Sequence, residues 1–447
     1  MKNKSNPTKK TGNASQSIKK PTLAFMGCML LAASLTSLAG CGANKAAPLW
    51  EAGASRNKTV VISDLHLGID DRYSETIINR PYLIEFLKRL QQTSDVRELV
   101  IAGDFLDEWY LPVYFSSYSD SNKFYRDCIA NNQEVIDEMK NVISSGIKLV
   151  YVAGNHDLLL ESTVLDEAIP GIIQARDAKG LGAYYTGGRN EIVIEHGHRY
   201  DVFSAPDTET NAELCGNNNT MLPSGYFYAR YGATWVLEGS PIVEKNLPTV
   251  TKPDESDTDQ YGAYLYYQVM KRVTEHLTPN EALDAKIFDM HIAGFNDSYS
   301  FLDFYPAEQE GGTISAPVLF RNIQRTWEKR QEVNQVKVTN SFIEAVAGTT
   351  DSNYFYSQAR RQYLENPNEN VDVVVFGHTH APRYDVMDNG KCYANSGTWI
   401  DHNNVIEAAI RTFTVIESGE DDKVALKKMM EDGSIADITA IYSGVNK

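Results

Sequence analysis

Five apolar runs in this chain end in residues that ligate hard metal ions. The run at 59–64 closes on Asp64-Leu65-His66 and the run at 98–104 on Gly103-Asp104. The run at 148–155 closes on Gly154-Asn155, followed by His156-Asp157. The last two, at 191–197 and 371–379, close on His196-Gly197-His198 and Gly377-His378-Thr379-His380. Carboxylate oxygen and imidazole nitrogen are ligands for divalent first-row cations. In extended backbone, residues i and i+2 point to the same side with α-carbons about 6–7 Å apart. Asp64 and His66 are therefore expected to converge on one ion. His378 and His380 are expected to reach two ions, if those sit about 3.5–4 Å apart as in two-metal hydrolases. A carboxylate between the ions bridges them, and Asp104 is the candidate. Glycines 103, 154, 197 and 377 let the backbone turn sharply and leave room for a substrate.

Such ends meet only if their strands lie side by side. Each run is rich in β-branched residues and has the length of a buried strand. Between the first three, residues 81–92 carry apolar side chains at 83, 84, 87 and 90, one face of a helix. Residues 121–146 read as a longer helix stopped by Gly146. Strands alternating with helices imply a layered α/β sheet, with ligands gathered beyond the carboxyl ends of the strands. After residue 203 the pattern breaks. Helices are expected near 226–238, 261–277, 281–291 and 317–332, in a segment rich in aromatics such as GYFYARYGATW and YGAYLYYQ. Residues 204–369 thus read either as a helical insertion that packs its aromatics on the sheet domain or as a cap over the active site that shapes substrate choice. Strands at 408–418 and 423–429 are expected to finish a second sheet, with 431–447 as a tail.

The chain has 447 residues, 42% of them hydrophobic and 23% charged, which argues against general disorder. Its net charge is −17, and the first 40 residues hold six lysines and no acid, so the remainder carries −23. A body so acidic gains little from long polyanions, which are bound through clustered Lys and Arg. Nucleic acid is not an expected partner; a small phosphorylated substrate held by metal is compatible. Lys2, Lys4, Lys9, Lys10, Lys19 and Lys20 precede an uncharged stretch from Thr22 to Cys41, the layout of a signal peptide. Its ending, Leu38-Ala39-Gly40-Cys41, resembles the bacterial lipoprotein box. That resemblance implies cleavage before Cys41, lipidation of Cys41, a tether over 42–57 and an exported protein anchored to a membrane of the bacterial cell envelope. The alternative is an uncleaved membrane helix, for which the run is barely long enough. Cys128, Cys215 and Cys392 show neither a disulfide framework nor a zinc ribbon.

The series D-x-H, G-D, G-N-H-D, H and G-H-x-H, in that order, resembles the calcineurin-like metallophosphoesterase superfamily over 58–203 and 370–402. The resemblance implies a four-layer αββα sandwich, here with a long, mainly helical insertion before the last metal-binding motif and a domain made of 58–203 and 370–430. It implies two divalent ions, Mn, Zn or Fe. Asp64, His66, Asp104 and His380 would hold the first; Asp104, Asn155, His196 and His378 the second. His156 would face the leaving-group oxygen, with Asp157 orienting it. His198 would contact phosphate or take the place of His196, unless a neighbouring backbone carbonyl simply satisfies it. The implied reaction is ester hydrolysis by a metal-bridging hydroxide, with protonated His156 helping the ester oxygen depart. Purple acid phosphatases have a tyrosine three residues after the bridging aspartate; here that residue is Asp107.

ISDLHLG (62–68), GDFLDEW (103–109) and NSGTWI (395–400) loosely resemble the UDP-2,3-diacylglucosamine pyrophosphatase branch. His156 stands where that branch commonly has arginine, and the export signal and the insertion also depart from it. Trp109 either flanks the substrate or, with Asp107 and Glu108, opens a helix. Arg383 either holds a phosphate oxygen or is an ordinary surface arginine. Asn395 to Trp399 either line the pocket or form a buried turn. The leading expectation is a phosphate mono- or diesterase. The alternatives are a pyrophosphatase acting on a nucleotide- or lipid-linked diphosphate, a nuclease of the branch that shares DLHLG and GNHD, and a non-catalytic binding module.

Overall fold

The computed structural model describes residues 45–115, 120–216, 220–308, 314–315 and 318–444. The expected signal peptide, Cys41 and the start of the expected tether lie outside the described residues. No helix among the described residues is long and apolar enough to cross a membrane.

The five apolar runs all become strands, each stopping one to three residues before its candidate ligand. In chain order the strands are β1 (Lys58–Ile62), β2 (Val96–Ala102), β3 (Lys148–Val152), β4 (Ile173–Ala175), β5 (Ala183–Thr186) and β6 (Ile192–Glu195). Two short antiparallel strand pairs of the insertion follow, β7 (Phe288–Met290) with β8 (Asp297–Tyr299), and β9 (Ala307–Glu308) with β10 (Ile314–Ser315). The chain then forms β11 (Val373–Phe376), β12 (Arg383–Val386), β13 (Cys392–Asn395), β14 (Thr412–Glu417), β15 (Lys423–Met429) and β16 (Ile435–Asp437). One sheet has the order β16-β15-β14-β1-β2-β3-β4 and the other β12-β13-β11-β6-β5. Within the first, β1 to β4 run parallel; within the second, β6, β11 and β13 do.

Alternation along the strands creates the layers, because successive side chains point to opposite faces. Val61, Val100, Ala102, Val150 and Val152 of the first sheet pack with Ile192, Ile194, Val373, Val375 and Ala394 of the second. Val60, Ile62, Leu99, Ile101, Leu149 and Tyr151 face the other way, onto helices α1 (Arg80–Leu90), α2 (Ser121–Asn131) and α3 (Gln133–Ser144). Val193, Val374, Phe376 and Tyr393 form the outer face of the second sheet, covered by Tyr354, Ala359, Tyr363 and Leu364. The sandwich is therefore αββα.

Several expectations need correction. Residues 121–146 form two helices broken at Asn132, whose side-chain amide donates to Gly68 O at 2.9 Å and to Cys128 O at 2.8 Å. No helix forms over 281–291, where β7 begins instead. Strands β14 and β15 extend the first sheet rather than a second one, because β14 pairs antiparallel with β1, Thr59 opposite Ile416. The region from 431 adds β16 to that sheet edge instead of trailing as a tail. The insertion is mainly helical, as at Ser224–Leu237, Thr258–Thr274 and Ile323–Val333. Its aromatics, among them Tyr226, Phe227, Tyr266 and Trp327, share one core with Trp109 and Leu158 of the sheet domain. Its last part, from Tyr354 to Leu364, is the outer layer of the sandwich itself.

Candidate metal centre

Strands β1, β2 and β3 end beside one another in the first sheet, and β6 and β11 in the second. Each of these five carboxyl ends leads into a loop bearing candidate ligands. The loops are tied together by backbone: Asp64 N–H donates to Gly103 O at 3.1 Å, and Leu65 and His66 N–H donate to Asp104 O at 2.9 and 3.0 Å. Gly377 N–H donates to His196 O at 3.1 Å, joining the second pair. His156 N–H donates to the Asp104 carboxylate at 2.9 Å, and His378 N–H to that of Asp64 at 3.1 Å.

The geometry that aims the ligands differs from the extended chain expected. Asp64, His66, Asp104, His378 and His380 have φ of 54°, 44°, 50°, 70° and 57°, all in the left-handed region. Non-glycine residues seldom adopt it, and it concentrates at functional sites where the surroundings enforce it. Asp64 and His66 converge because both are turned, not because they alternate along a strand. Glycine supplies the close approaches: a β-carbon on Gly154 would lie 2.1 Å from Asp104 N.

Two clusters that share Asp104 result, and a third group of His66, Asp107 and His156 adjoins them. Asp64, His66, Asp104 and His380 offer ligand atoms within 4.8 Å of one another, and so do Asp104, His196 and His378. Asn155 joins the second, its Oδ1 being 3.1 Å from His196 Nε2. The structure thus brings together the residues that the resemblance assigned to each ligand set.

Atom by atom, the clusters suit cations. His66 Nδ1 donates to Asp107 Oδ2 at 2.8 Å, so Nε2 presents a lone pair; it lies 3.1 Å from His380 Nε2 and 3.7 Å from Asp104 Oδ2. His196 Nδ1 donates to Ala102 O at 2.8 Å, so Nε2 presents a lone pair; it lies 3.1 Å from Asp104 Oδ2. Acceptors thus face acceptors in a buried place, an arrangement that a metal ion or protons must relieve. Protons do so in the ion-free protein. Burial alone would lower His196, but Asp104 outweighs it and pushes the imidazole up to about 9. Burial would raise Asp104, but His196, His156 and His66 hold it well below the usual carboxylate range.

His156 stands beside the first cluster, its ring 4.4 Å from that of His66. Asp157 was expected to orient it and does not. The Asp157 carboxylate instead accepts from Gly154 N–H at 2.7 Å and Phe105 N–H at 2.9 Å, pinning the backbone of both loops. His156 Nδ1 donates to Asp107 Oδ1 at 2.8 Å. Burial would lower His156; Asp107 and Asp104 overcome it and raise the imidazole above its ordinary value. Asp107 also accepts from Trp109 and Tyr110 N–H, at 2.7 and 2.8 Å, so it opens no helix but caps a turn. Trp109 is buried and stacks on His156, centroids 4.7 Å apart, which supports that ring instead of flanking a substrate.

The remaining candidates are occupied elsewhere. His198 donates from Nε2 to Gly180 O at 3.0 Å, and burial, with His196 and His378, holds it well below the ordinary histidine value. Its Nε2 is satisfied by that carbonyl, while its buried Nδ1 has no hydrogen-bond partner among the described residues. Arg383 is paired with Asp385 and donates to Ser352 O at 2.6 Å and Asn353 Oδ1 at 2.8 Å, so it fastens β12 to the insertion and holds no phosphate oxygen. Asn395 to Trp399 form a buried turn, Trp399 N–H donating to Asp64 O at 3.2 Å.

Sequence reading missed two carboxylates in addition to misjudging Asp107. Asp201 Oδ2 lies 3.2 Å from His378 Nε2, and Glu75 Oε2 lies 3.3 Å from His66 Nδ1. Asp201 follows the short helix His198–Tyr200, and no spacing rule announces it. Asp107 had a signal: it follows Asp104 at the position where a related class has a metal-binding tyrosine.

Residues 58–235 match the calcineurin-like phosphoesterase family model. The match and the paired ligand clusters make the protein a metal-dependent phosphoester hydrolase. The phosphoesterase match stops before His378 and His380, which the fold brings to the same centre. No curated protein matches the sequence. Among solved structures, a dimetal phosphatase from Danio rerio aligns at 13% identity and TM-score 0.33, over 87% of this chain and 100% of its own. A phosphopantetheinyl hydrolase from Mycobacterium tuberculosis aligns at 11% identity and TM-score 0.30, over 79% of this chain and 91% of its own. Likeness at that level fixes neither activity nor substrate.

Proposed function

We propose that this phosphoesterase hydrolyses a phosphate mono- or diester with two divalent ions of the Mn, Zn or Fe type, and that it does so outside the cytoplasm, tethered to a membrane through lipidated Cys41. What supports the catalytic reading is that the Asp104 carboxylate belongs to both ligand clusters. Asp64, His66, Asp104 and His380 would hold one ion and Asp104, Asn155, His196 and His378 the other. Neutral imidazole and carboxylate suit Mn, Zn and Fe(II). When bound, such ions neutralise phosphate charge and acidify a water nucleophile.

The protein's own groups supply the rest. His156 keeps Nδ1 on Asp107, which directs Nε2 as the proton donor to the departing ester oxygen. Asp107 sustains the protonated form and Trp109 fixes the ring plane. The buried loops around Asp64 and Asp104 hold the ligands in place without reorganisation. Tethering is supported by the lysine-rich start, the uncharged stretch from Thr22 and the ending Leu38-Ala39-Gly40-Cys41.

A panel of chromogenic monoesters, diesters and diphosphates, assayed with Mn and with Zn, tests the catalytic reading. Hydrolysis of mono- or diesters supports it. Hydrolysis of diphosphates alone supports the pyrophosphatase alternative, and cleavage of single-stranded DNA the nuclease. Metal uptake without any hydrolysis supports a binding module. An unlipidated Cys41 at the start of the processed chain, read by mass spectrometry of its first peptide, would overturn the tether.

A further inference from the structure

Beside His378, the last motif loop and the end of the insertion enclose a cavity of about 380 Å³. His378 is both part of the second ligand cluster and part of this wall, so a phosphate held at the cluster carries its organic substituent toward the cavity. The volume lies at the lower end of the range for small-molecule sites, which span about 300–1,000 Å³.

Apolar and aromatic side chains line much of the cavity, alongside the hydroxyls of Thr349, Thr350, Ser352 and Thr379. Phe355 presents its ring edge-on to His378, centroids 5.3 Å apart. Tyr356 and buried Tyr393 lie 5.8 Å apart, centroid to centroid, with their rings tilted. Val405 lines the cavity too and is 62% exposed, an uncovered apolar side chain at its rim.

Charge narrows the occupant further. Among the described residues lining the cavity, Arg383 is the one cation. Its guanidinium is committed to Asp385, Ser352 O and Asn353 Oδ1, and it stacks on Tyr356 at 5.2 Å. Asp351 adds an exposed carboxylate. A second phosphate or a carboxylate on the substrate would meet this negative charge with no cation to spare. Burying a charge without a partner is costly, whereas apolar surface gains by leaving water.

We propose that this cavity binds an uncharged, apolar organic group of the phosphate ester, of the size of one or two rings. The inference rests on the phosphoesterase reading above and adds the substrate class to it: an ester of an apolar alcohol instead of a diphosphate.

The test uses the full chain loaded with Mn and three monoesters whose alcohols have comparable acidity: methyl, benzyl and 4-carboxybenzyl phosphate. The expected kcat/KM for benzyl phosphate exceeds that for methyl phosphate by about tenfold or more, the discrimination an apolar pocket gives. The 4-carboxybenzyl ester is expected to lose that advantage. Val405→Glu, at an exposed position that leaves folding untouched, and Phe355→Ala should each lower the benzyl-to-methyl ratio and weaken inhibition by benzylphosphonate relative to methylphosphonate. Turnover of all three esters with equal kcat/KM, or a ratio that neither variant moves, overturns the cavity's role while the phosphoesterase reading stands. No turnover of any ester by the metal-loaded protein overturns that reading and the inference with it.

Discussion

Asp107 accepts a hydrogen bond from His156 Nδ1 at 2.8 Å, and through its other oxygen it accepts one from His66 Nδ1 at the same distance. One buried carboxylate thereby orients both a candidate metal ligand and the candidate acid. Such outer partners typically account for about 10–100-fold in activity or metal affinity. Asp107→Asn should lower kcat by about that factor. The alkaline limb of the pH profile of kcat should also move to lower pH. The sign follows from the acid's role: activity is lost as pH rises through the His156 pKa, and Asp107 holds that pKa up. Asp157→Asn should leave the limb in place, since Asp157 serves the backbone. Steady-state profiles of both variants check this.

Asp104 is the shared member of the two clusters, so Asp104→Asn should empty both. Elemental analysis should show occupancy falling from two ions toward none, with metal-dependent turnover abolished. His156→Ala should slow turnover and leave occupancy largely intact. Metal loss in the His156 variant would refute its assignment as a proton donor outside the ligand sets.

The ion-free centre stores protons that a cation must displace. Asp104 keeps His196 up at about 9, above its ordinary value, so near pH 7.5 that imidazole is protonated before metal arrives. Binding should release protons, and apparent affinity should rise with pH until about 9. Calorimetric titration of Mn in two buffers of different ionisation enthalpy reads the proton count directly. Equal heats in both buffers would contradict it.

Most of the centre was legible because its signals are local. A β-branched run followed by glycine and a ligand says both that a strand ends and what its end carries. All five such ends meet as expected, since parallel strands put their carboxyl ends on one side. What escaped was set by turns and tertiary contacts. Asp157 sits next to His156 in sequence, yet the turn after β3 aims it at backbone amides, and Asp107 arrives from another loop. His198 follows the strand pattern of a ligand, but Gly197, at φ 103°, starts a short helix that swings it to Gly180 O. Strand β14 matched its predicted type but not its sheet, because an antiparallel partner for β1 can come from anywhere in the chain.

Glu108 should make stability depend on pH. Burial pushes its carboxyl up to about 7, with a hydrogen bond from Tyr125 at 2.8 Å only partly offsetting the shift. A carboxyl raised on folding stabilises fully below its unfolded value, and that contribution is lost as pH rises through the folded value. The window therefore runs from the ordinary glutamate value up to about 7. Glu108→Gln keeps an acceptor for Tyr125 and removes the ionisation. It should leave stability at pH 4 unchanged and raise it at pH 8 by up to about 3 kcal/mol. Denaturant midpoints at the two pH values measure the difference.

Gly103 tests whether backbone geometry alone sustains the second ion. At φ 85°, a β-carbon here would lie 2.4 Å from His196 Nδ1. That nitrogen is the one held by Ala102 O, so the methyl group of Gly103→Ala must push the ring off its hydrogen bond and out of line with Asp104 and Asn155. The first cluster depends on His196 for nothing. The variant should thus bind one ion with little change and the other about 10–100-fold more weakly. A titration that loses both ions equally would show that the two halves of the centre form as a unit, with Asp104 displaced along with the ring.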